Sequence, residues 1–305
     1  MRVLVTGGAG FIGANLVRTL LGRGHECAVL DSFATGNPTW LVDLSVAVHE
    51  GDVRQAELVD RLAAGADAIV HLGAVTGVPP SLRDPLTAHR VNVDGTLNVL
   101  QAARAHGGHV LLAGSAAVYG PTPPLPTSED CPPNPISPYA ATKLAAEQYA
   151  LAWSASYGID VLPLRFFNVY GPRQDPKSPY SGVISIFMDR SMRGDDIVIF
   201  GDGEQTRDFV YVGDVADAIL AACFVAEAPS GAVNVGTGKE TTINQLASVV
   251  CELHGGKSRV AHAEARPGEI LRSCADVSAA KAALGFEAKV AIAEGLRETA
   301  AWLKG

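Results

Sequence analysis

VLVTGGAGFIGANL, residues 3–16, joins a short run of apolar β-branched residues to a helical pattern through a glycine-rich turn. In a strand–turn–helix setting, glycines let the backbone turn sharply and approach a phosphate group closely. The free N–H groups and positive dipole end of the helix then attract a pyrophosphate. Residues 8–13 also fit the GxGxxG dinucleotide pattern. The candidate contacts are Gly7, Gly10, Phe11, Ile12 and Gly13.

A carboxylate ends the second predicted strand. Asp31 follows Gly13 at the spacing of about 20 residues that suits a hydrogen bond to an adenosine ribose. Its charge would repel the 2′-phosphate of NADP, so the sequence favours NAD. Ser32 follows it, and Asp52 and Val53 follow the third predicted strand, where they are placed to meet the adenine. A turn-capping role explains Asp52 equally well.

Strand and helix patterns alternate through the first half of the chain. This alternation predicts an α/β fold, a Rossmann-type doubly wound parallel sheet with a smaller α/β substrate lobe at the C-terminal end. We predict a dinucleotide-binding domain over residues 1–167 and the substrate lobe over 168–305, with a segment near 208–235 packing back on the first domain. Predicted strands are 2–6, 26–30, 46–50, 67–71, 109–113, 160–165 and 197–200. Predicted helices are 11–23, 85–106, 138–156, 183–193, 214–226 with Asp214 as N-cap, 242–254, 276–284 and 290–303.

The 305 residues carry a net charge of −8, with 48% hydrophobic and 18% charged residues. This composition is ordinary for a compact globular protein, and the negative field argues against nucleic acid or an anionic membrane as partner. No apolar run reaches the roughly 18 residues needed to cross a bilayer. MRVLVTGG enters a strand directly, so we expect no signal peptide and a cytoplasmic location. Five scattered cysteines without CxxC spacing predict reduced thiols and no metal site.

Candidates for proton transfer lie in SAAVYG (115–120) and SPYAATK (137–143). A tyrosine has a pKa near roughly 10 and is a poor base at neutral pH. Lys143 lies one helical turn after Tyr139, and its positive charge should lower the pKa of that phenol. The hydroxyl of Ser115 can share a substrate proton with the phenolate. Together the three residues predict removal of a proton from an alcohol, against the alternative of a chance tyrosine–lysine pair.

Five motifs occur in order: TGGAGFIG (6–13), NVDGT (92–96), SAAVYG (115–120), YAATK (139–143) and RFFNVYGPR (165–173). Together they resemble the extended short-chain dehydrogenase/reductase family, specifically its NAD-dependent nucleotide-sugar epimerase/dehydratase branch. The resemblance covers nearly the whole chain. It implies NAD as the cofactor, a UDP-sugar as the substrate and a homodimer. In this family dimers commonly form through paired long helices, here 85–106 and 138–156.

The resemblance gives each motif residue a role. Tyr139 would be the base, Lys143 would hold the nicotinamide ribose and tune Tyr139, and Ser115 would orient the sugar hydroxyl. Asn92 would support the strand and helix around the cofactor, and a helix-start role explains it nearly as well. Backbone groups lining the cofactor would come from Leu72, Gly73 and Ala74.

The resemblance also implies substrate contacts in the second half of the chain. Asn168 would contact the sugar diphosphate, and Arg207 and Arg266 would clamp phosphates with their forked donors, or else form surface ion pairs. Glu269 takes the place of an acid that holds the uridine ribose. Ser273 matches a gate position that is a tyrosine in relatives restricted to unsubstituted hexoses. Its small side chain leaves room for an N-acetyl group, although a turn role explains it equally well.

The two residues after Ser115 choose among reactions. Relatives that eliminate water place Asp-Glu there, and decarboxylating relatives place a glutamate at the second position. Here both are alanines, Ala116 (also a candidate substrate contact) and Ala117, whose methyl groups cannot transfer protons. We therefore expect NAD-dependent 4-epimerisation of a UDP-hexose through a 4-keto sugar. Three alternatives stay open. They are epimerisation of UDP-glucuronate with Arg190 or Arg193 on the carboxylate, a 4-ketoreductase or dehydrogenase activity, and a non-catalytic NAD-binding regulator.

Overall fold

A computed structural model describes residues 1–176, 182–225, 229–265 and 270–304. Its strands are β1 (Arg2–Thr6), β2 (Glu26–Asp31), β3 (Ala47–Glu50), β4 (Ala68–His71), β5 (His109–Ser115), β6 (Val161–Phe166), β7 (Asn168–Tyr170), β8 (Ile197–Phe200), β9 (Thr206–Arg207), β10 (Phe209–Tyr211), β11 (Val233–Val235), β12 (Thr241–Thr242) and β13 (Val260–Ala263). Its α-helices are α1 (Phe11–Gly22), α2 (Ala56–Ala63), α3 (Val78–Arg83), α4 (Pro85–His89), α5 (Gly95–His106), α6 (Pro138–Tyr157), α7 (Val183–Arg193), α8 (Val212–Cys223), α9 (Ile243–Leu253), α10 (Ser278–Leu284) and α11 (Ile292–Lys304).

A seven-stranded parallel sheet forms the centre of the molecule, with strand order β11-β6-β5-β4-β1-β2-β3. The order reverses between β1 and β4, so the loops after these two strands leave the sheet side by side. In open α/β sheets a ligand binds at this crevice, beyond the carboxyl ends of the strands. The predicted α/β fold with a doubly wound parallel sheet is confirmed.

Helices cover both faces of the sheet, which explains why its strands are apolar on both sides. On one face, α1 and α8 contribute the fully buried Leu16, Leu20 and Ile219. On the other face, α2 and α5 contribute the fully buried Val59 and Leu100. Burying a side chain of this size stabilises the fold by about 1.5–3 kcal/mol. These two layers hold the carboxyl ends of the strands in fixed positions.

The second half of the chain returns to the sheet before it completes its own lobe. β11 pairs in parallel with β6 at the sheet edge, and α8 packs against α1. The smaller strand pairs are β7 with β10, β8 with β13 and β9 with β12. They surround a separate core that includes Ile184, Met188 and Leu246. We retain the division between residues 167 and 168 as a proposal.

Two predicted helices differ from the observed ones. The helix predicted over 85–106 is interrupted by a π-helical turn at Arg90–Asp94. The prediction that Asp214 is an N-cap is wrong, because α8 begins at Val212 and Asp214 lies within its first turn. Its buried carboxylate instead accepts a hydrogen bond from the backbone N–H of Val290, at 3.0 Å. A long-range contact therefore decides the position of this acidic residue.

All five cysteines are free thiols. None of the described helices is long and apolar enough to cross a membrane. Within the same residues there is no group of His, Cys, Asp or Glu arranged to hold a metal ion.

Candidate active site

The glycine turn after β1 lies against the loop that follows β4. Gly7 has φ +69°, and a Cβ on it would lie 2.7 Å from the backbone nitrogen of Gly73. A Cβ on Gly13 would overlap the carbonyl oxygen of Gly7. Only glycine allows these close approaches, so the turn keeps an open cradle in front of the N-terminus of α1. This shape suits a pyrophosphate bound by backbone N–H groups.

Asp31 ends β2 beside this cradle and is buried. Its Oδ2 accepts a hydrogen bond from the backbone N–H of Ala9 at 2.9 Å, and its Oδ1 accepts one from Phe33 at 2.8 Å. A carboxylate has about four acceptor positions, so it retains capacity for two ribose hydroxyls. Ser32, the next residue, is exposed. The cradle and the carboxylate together fit an adenine dinucleotide.

The two candidates after β3 behave differently from each other. Asp52 caps its own turn, because its Oδ1 accepts hydrogen bonds from the backbone N–H and the Nε of Arg54, both at 2.9 Å. The Arg54 guanidinium holds the pKa of Asp52 below its usual value. Val53 is buried, and its side chain would meet a Cβ added to Gly73 at 3.1 Å. Val53 therefore supports the glycine-bearing loop from below, whereas the geometry of Asp52 matches the turn-capping interpretation.

Asn92 joins the loop after β4 to helix α6. Its side chain accepts a hydrogen bond from the backbone N–H of Val75 at 2.7 Å and donates to the carbonyl oxygen of Val75 at 3.1 Å. It also donates to the hydroxyl of Thr142 at 2.9 Å. The π-helical turn holds this buried amide, which thereby fixes the segment containing Leu72, Gly73 and Ala74 against the helix of Tyr139.

His71, at the end of β4, was missed from the sequence. Its Nδ1 lies 2.7 Å from the hydroxyl of Thr6, and its Nε2 lies 3.1 Å from the hydroxyl of Thr96. Burial, with a smaller contribution from the charge of Lys143, lowers the pKa of His71 to about 3. A neutral imidazole thus connects β1, β4 and α5 below the site. A polar residue ending an otherwise apolar strand was the only signal for it.

Ser115, Tyr139 and Lys143 come together as the sequence predicts. Ser115 is the last residue of β5, and α6 begins immediately before Tyr139, with Ser137 as its N-cap and Pro138 in its first turn. The hydroxyl of Ser115 lies near the phenol of Tyr139 and acts to lower its pKa. The buried Nζ of Lys143 donates to the carbonyl oxygen of Ala113 at 2.9 Å. The end of β5 and the first turns of α6 thus bring together the three residues that the sequence predicts for proton transfer.

The electrostatics of these three residues differ from the sequence-based expectation. We expected Lys143 to lower the pKa of Tyr139, but burial raises it, and the nearby hydroxyl of Ser115 offsets only part of the rise. Burial also lowers the pKa of Lys143 to about 8. Removing water disfavours both charged forms, a desolvation cost that helical spacing alone does not reveal.

A cavity of about 160 Å³ opens beside Ser115. It brings together five residues predicted to contact the substrate, namely Ser115, Ala116, Asn168, Arg207 and Ser273. The other lining residues are Ala117, Tyr119, Gly120, Pro123, Thr127, Phe166, Phe167, Ile270 and Arg272. Arg266 and Glu269, the two remaining substrate candidates, lie outside the described residues.

One of the two described arginines around the cavity was predicted and the other was not. Arg207 lines it and donates from Nη1 to the carbonyl oxygens of Thr206 and Ile270, both at 2.7 Å. Arg272 also lines the cavity and was missed, although it directly precedes Ser273. Its guanidinium is paired with Glu240.

Arg190 and Arg193, considered for a substrate carboxylate, are on α7 and do not line the cavity. Arg190 donates to the carbonyl oxygen of Asp196 at 3.0 Å. Arg193 forms ion pairs with Asp189 at 2.7 Å and with Asp195 at 3.0 Å. A hydrogen bond to a backbone carbonyl therefore accounts for Arg190, and local ion pairs account for Arg193.

Comparison with known proteins shows which family has this fold and this arrangement of residues. The sequence profile of the NAD dependent epimerase/dehydratase family matches residues 3–236. The chain belongs to that family. NAD is therefore its cofactor, in agreement with the glycine cradle and with Asp31. A UDP-glucose 4-epimerase of Mycolicibacterium smegmatis is 39% identical over 309 residues, covering 98% of this chain and 97% of that protein.

Solved structures of the family superpose closely on this chain. The UDP-glucose 4-epimerase of Thermotoga maritima, solved with UDP-glucose, has a TM-score of 0.94 at 35% identity and covers 100% of this chain and 99% of its own. The UDP-glucose 4-epimerase of Thermus thermophilus, solved with NAD, has a TM-score of 0.90 at 40% identity with the same coverage. The family also includes a dTDP-glucose 4,6-dehydratase of Streptomyces niveus, 35% identical over 317 residues and matched over 100% of this chain and 93% of that protein.

Proposed function

We propose that the chain catalyses 4-epimerisation of a UDP-hexose of the glucose/galactose type. The observation that supports this function is the lining of the cavity beside Ser115. Ala116 and Ala117 form part of its wall, and none of the described lining residues is Asp or Glu. Elimination of water requires a side chain that transfers protons to and from the sugar, and methyl groups cannot do so. The UDP-glucose 4-epimerases among the relatives support this choice.

The proton steps follow from the three residues at the end of β5 and the start of α6. Ser115 orients the C4 hydroxyl, and Tyr139, whose phenol lies near Ser115, takes the proton of that C4 hydroxyl. With a pKa of about 8, Lys143 is still mostly protonated at neutral pH. A cation one helical turn from the phenol would favour the phenolate over the phenol. Bound NAD supplies reversible acceptance of the C4 hydride. After the 4-keto sugar has turned its other face, the hydride returns to C4 on that face and Tyr139 returns the proton to the oxygen, which completes the inversion.

Binding of a diphosphate requires local positive charge, because the chain as a whole has a net charge of −8. Arg207 contributes a guanidinium at the cavity wall, beside the amide of Asn168, and Arg272 adds a second guanidinium whose charge is shared with Glu240. Guanidinium groups suit phosphate oxygens because their donors form a planar fork. We assign the diphosphate to this wall.

Two features of the wall bear on the choice of sugar. Ser273 contributes a small side chain where a bulky one would fill the space, which favours tolerance of an N-acetyl group. Arg272 also lies in the wall, but its guanidinium is already paired with Glu240, so it gives no support for a uronate such as UDP-glucuronate. The first feature widens the substrate range of the proposed enzyme, and the second leaves the glucose type as the preferred sugar.

Product analysis tests the proposal. The purified protein is incubated separately with UDP-glucose, UDP-N-acetylglucosamine, UDP-glucuronate and dTDP-glucose, and the sugars are separated by chromatography. We expect the C4 epimer of a UDP-sugar, near-stoichiometric NAD in the purified protein and no net change in absorbance at 340 nm. A 4-keto-6-deoxy sugar, a pentose with release of carbon dioxide, or stoichiometric NADH would each contradict it.

We also propose a homodimer formed through α5 and α6. Tyr149 and Tyr157 on α6 have 42% and 45% of their surface exposed, and Trp153 lies between them in edge contacts with both. An exposed aromatic row of this kind marks an interaction surface. Light scattering on the parent and on a Tyr149→Glu/Tyr157→Glu variant tests this, with a monomeric variant and a dimeric parent expected.

A further inference from the structure

Glu147 and Arg165 form an ion pair in the interior of the first domain. Glu147 is 0% exposed and Arg165 is 5% exposed. The Nε of Arg165 donates to Oε2 of Glu147 at 2.9 Å, and its Nη2 donates to Oε1 at 2.6 Å. This two-point contact fixes the orientation of both side chains, because the guanidinium fork matches the carboxylate only in one plane.

The pair connects the helix of Tyr139 and Lys143 to the sheet beside Ser115. Glu147 lies one helical turn after Lys143 and two turns after Tyr139, on the same face of α6. Arg165 lies on β6 in register with Gly114, the residue before Ser115 on β5. The ion pair therefore connects α6, which carries Tyr139, to β6, the strand beside β5, and β5 ends at Ser115.

The same guanidinium also holds the turn that follows Ser115. Nη1 of Arg165 donates to the hydroxyl of Tyr119 at 2.8 Å and to the carbonyl oxygen of Glu129 at 3.1 Å. The hydroxyl of Tyr119 donates in turn to Oδ1 of Asn234 at 2.7 Å. Tyr119 ends the 3-10 turn Ala116–Tyr119, so its hydroxyl fixes the wall of the sugar cavity.

Apolar packing alone would leave the helix free to shift over the sheet. Around Glu147, α6 presents the small side chains of Ala146 and Ala150 to the sheet. Contacts between such surfaces are non-directional, whereas a proton transfer requires heavy atoms about 2.6–3.2 Å apart. Asn92 and Ser81 bond α6 to the segments after β4. The ion pair and the bond from Lys143 to Ala113 are directional contacts that bond it to β5 and β6.

We infer that Glu147 and Arg165 are positioning residues that set Tyr139 and Lys143 against Ser115 for proton transfer. The inference rests on the proposed epimerase function and adds two residues that do not touch the substrate. A merely structural pair would contribute only to stability. A positioning role can be distinguished from a purely structural role by experiment, because well-packed apolar residues of similar volume can replace a buried ion pair with little loss of stability.

The decisive variant is Glu147→Leu/Arg165→Met, which removes both charges and keeps the volume. Glu147→Gln breaks the two-point contact while retaining shape, and Tyr119→Phe removes only the hydroxyl that joins Arg165 to the turn. Leu246→Ala serves as the matched control, because this fully buried residue belongs to the core of the second lobe. Urea unfolding compares the stability of all four variants with that of the parent.

Two readouts distinguish positioning from stability. In the double variant we expect kcat to fall by at least about tenfold with KM within about threefold, because a small misplacement of reacting groups is costly. We also expect the phenolate titration of Tyr139 to move by about half a pH unit or more. That titration is followed by ultraviolet absorbance as the difference between each protein and its Tyr139→Phe counterpart. The Leu246→Ala control should lose stability and keep both values.

Retention of the parental kcat and of the Tyr139 titration by a stably folded double variant would overturn the inference. If the double variant does not fold, Glu147→Gln decides by the same two readouts, because it removes the charge of Glu147 and keeps its shape. If the parent epimerises no nucleotide sugar, the proposed function fails, and the titration of Tyr139 still decides whether the ion pair positions it.

Discussion

The Nζ of Lys143 lies 2.9 Å from the carbonyl oxygen of Ala113, two residues before the end of β5 at Ser115. A buried ammonium group is thereby fixed to the strand that ends at Ser115, the residue we propose to orient the substrate hydroxyl. Its desolvation has a cost for stability, and its charge is what the proposed base, Tyr139, requires. Stability and activity therefore place opposite demands on this residue.

Replacing Lys143 with methionine should stabilise the protein and abolish turnover. The pKa of Lys143 is lowered from 10.5 to about 8, so the unfolded chain binds the proton more tightly than the folded one. The stability of the parent should thus rise as the pH increases from 8 to 10.5. At pH 7 the shift corresponds to a cost on the order of 3 kcal/mol, part of which is offset by the bond to Ala113. Urea unfolding of the parent and Lys143→Met at pH 7 and 10 measures this, and a variant less stable than the parent at pH 7 would contradict it.

Replacing Tyr139 with phenylalanine should remove the base without disturbing the packing of its ring. We expect kcat to fall by about 10³-fold, and Ser115→Ala to cost about 10–100-fold. Because burial raises the pKa of Tyr139, the parental kcat/KM should increase with pH above neutrality. Initial rates from pH 6 to 10 measure both effects. A Tyr139→Phe variant with parental rates would refute the assignment of the base.

Replacing Gly13 with alanine should prevent NAD binding, because the added Cβ would overlap the carbonyl oxygen of Gly7. Gly22→Ala is the matched control on the same helix, since a Cβ there meets nothing within 4 Å. The control should be neutral or more stable by about 0.5–1 kcal/mol, the usual difference between alanine and glycine in a helix. Calorimetric titration with NAD after removal of bound cofactor provides the measurement. Tight binding by Gly13→Ala would show that the cradle is not the cofactor site.

His71 should make the protein sensitive to acid. Burial lowers its pKa from 6.5 to about 3, so its contribution is complete above pH 6.5 and is lost as the pH falls toward 3. At pH 5 the loss relative to pH 7 is about 2 kcal/mol. Unfolding of the parent and His71→Asn at pH 5, 6, 7 and 8 isolates this contribution from that of the carboxylates. Equal pH dependence of the two proteins would mean that His71 is not the cause.

Replacing Ser273 with tyrosine should narrow the cavity beside Ser115, which has a volume of about 160 Å³. Turnover of UDP-N-acetylglucosamine should fall by about tenfold or more while UDP-glucose turnover changes little, because a bulky wall excludes only the larger substituent. Ser273→Ala is the control that keeps the space open. Unchanged turnover of the N-acetyl sugar by Ser273→Tyr would refute the gate.

Local patterns predicted the parts of the site that depend on short segments. The turn at Gly7 and Gly13, the carboxylate of Asp31 and the one-turn spacing of Tyr139 and Lys143 are each set within one strand–turn–helix unit or one helix. The roles of His71 and Arg272 were not predictable in this way. His71 acquires its role from hydroxyls on β1 and α5, and Arg272 from a carboxylate on a distant loop.

By itself, the sequence determined the parallel α/β sheet, the glycine turn of the NAD cradle and the one-turn spacing of Tyr139 and Lys143, because hydrophobic periodicity, glycine turns and helical spacing act over short stretches of chain. Only the tertiary structure decided the directions in which the pKa values of Tyr139 and Lys143 shift. It also decided the ion pair between Glu147 and Arg165. The physical reason is the same in each case. Desolvation and buried hydrogen bonds depend on which distant segments exclude water around a group, and no local pattern encodes that.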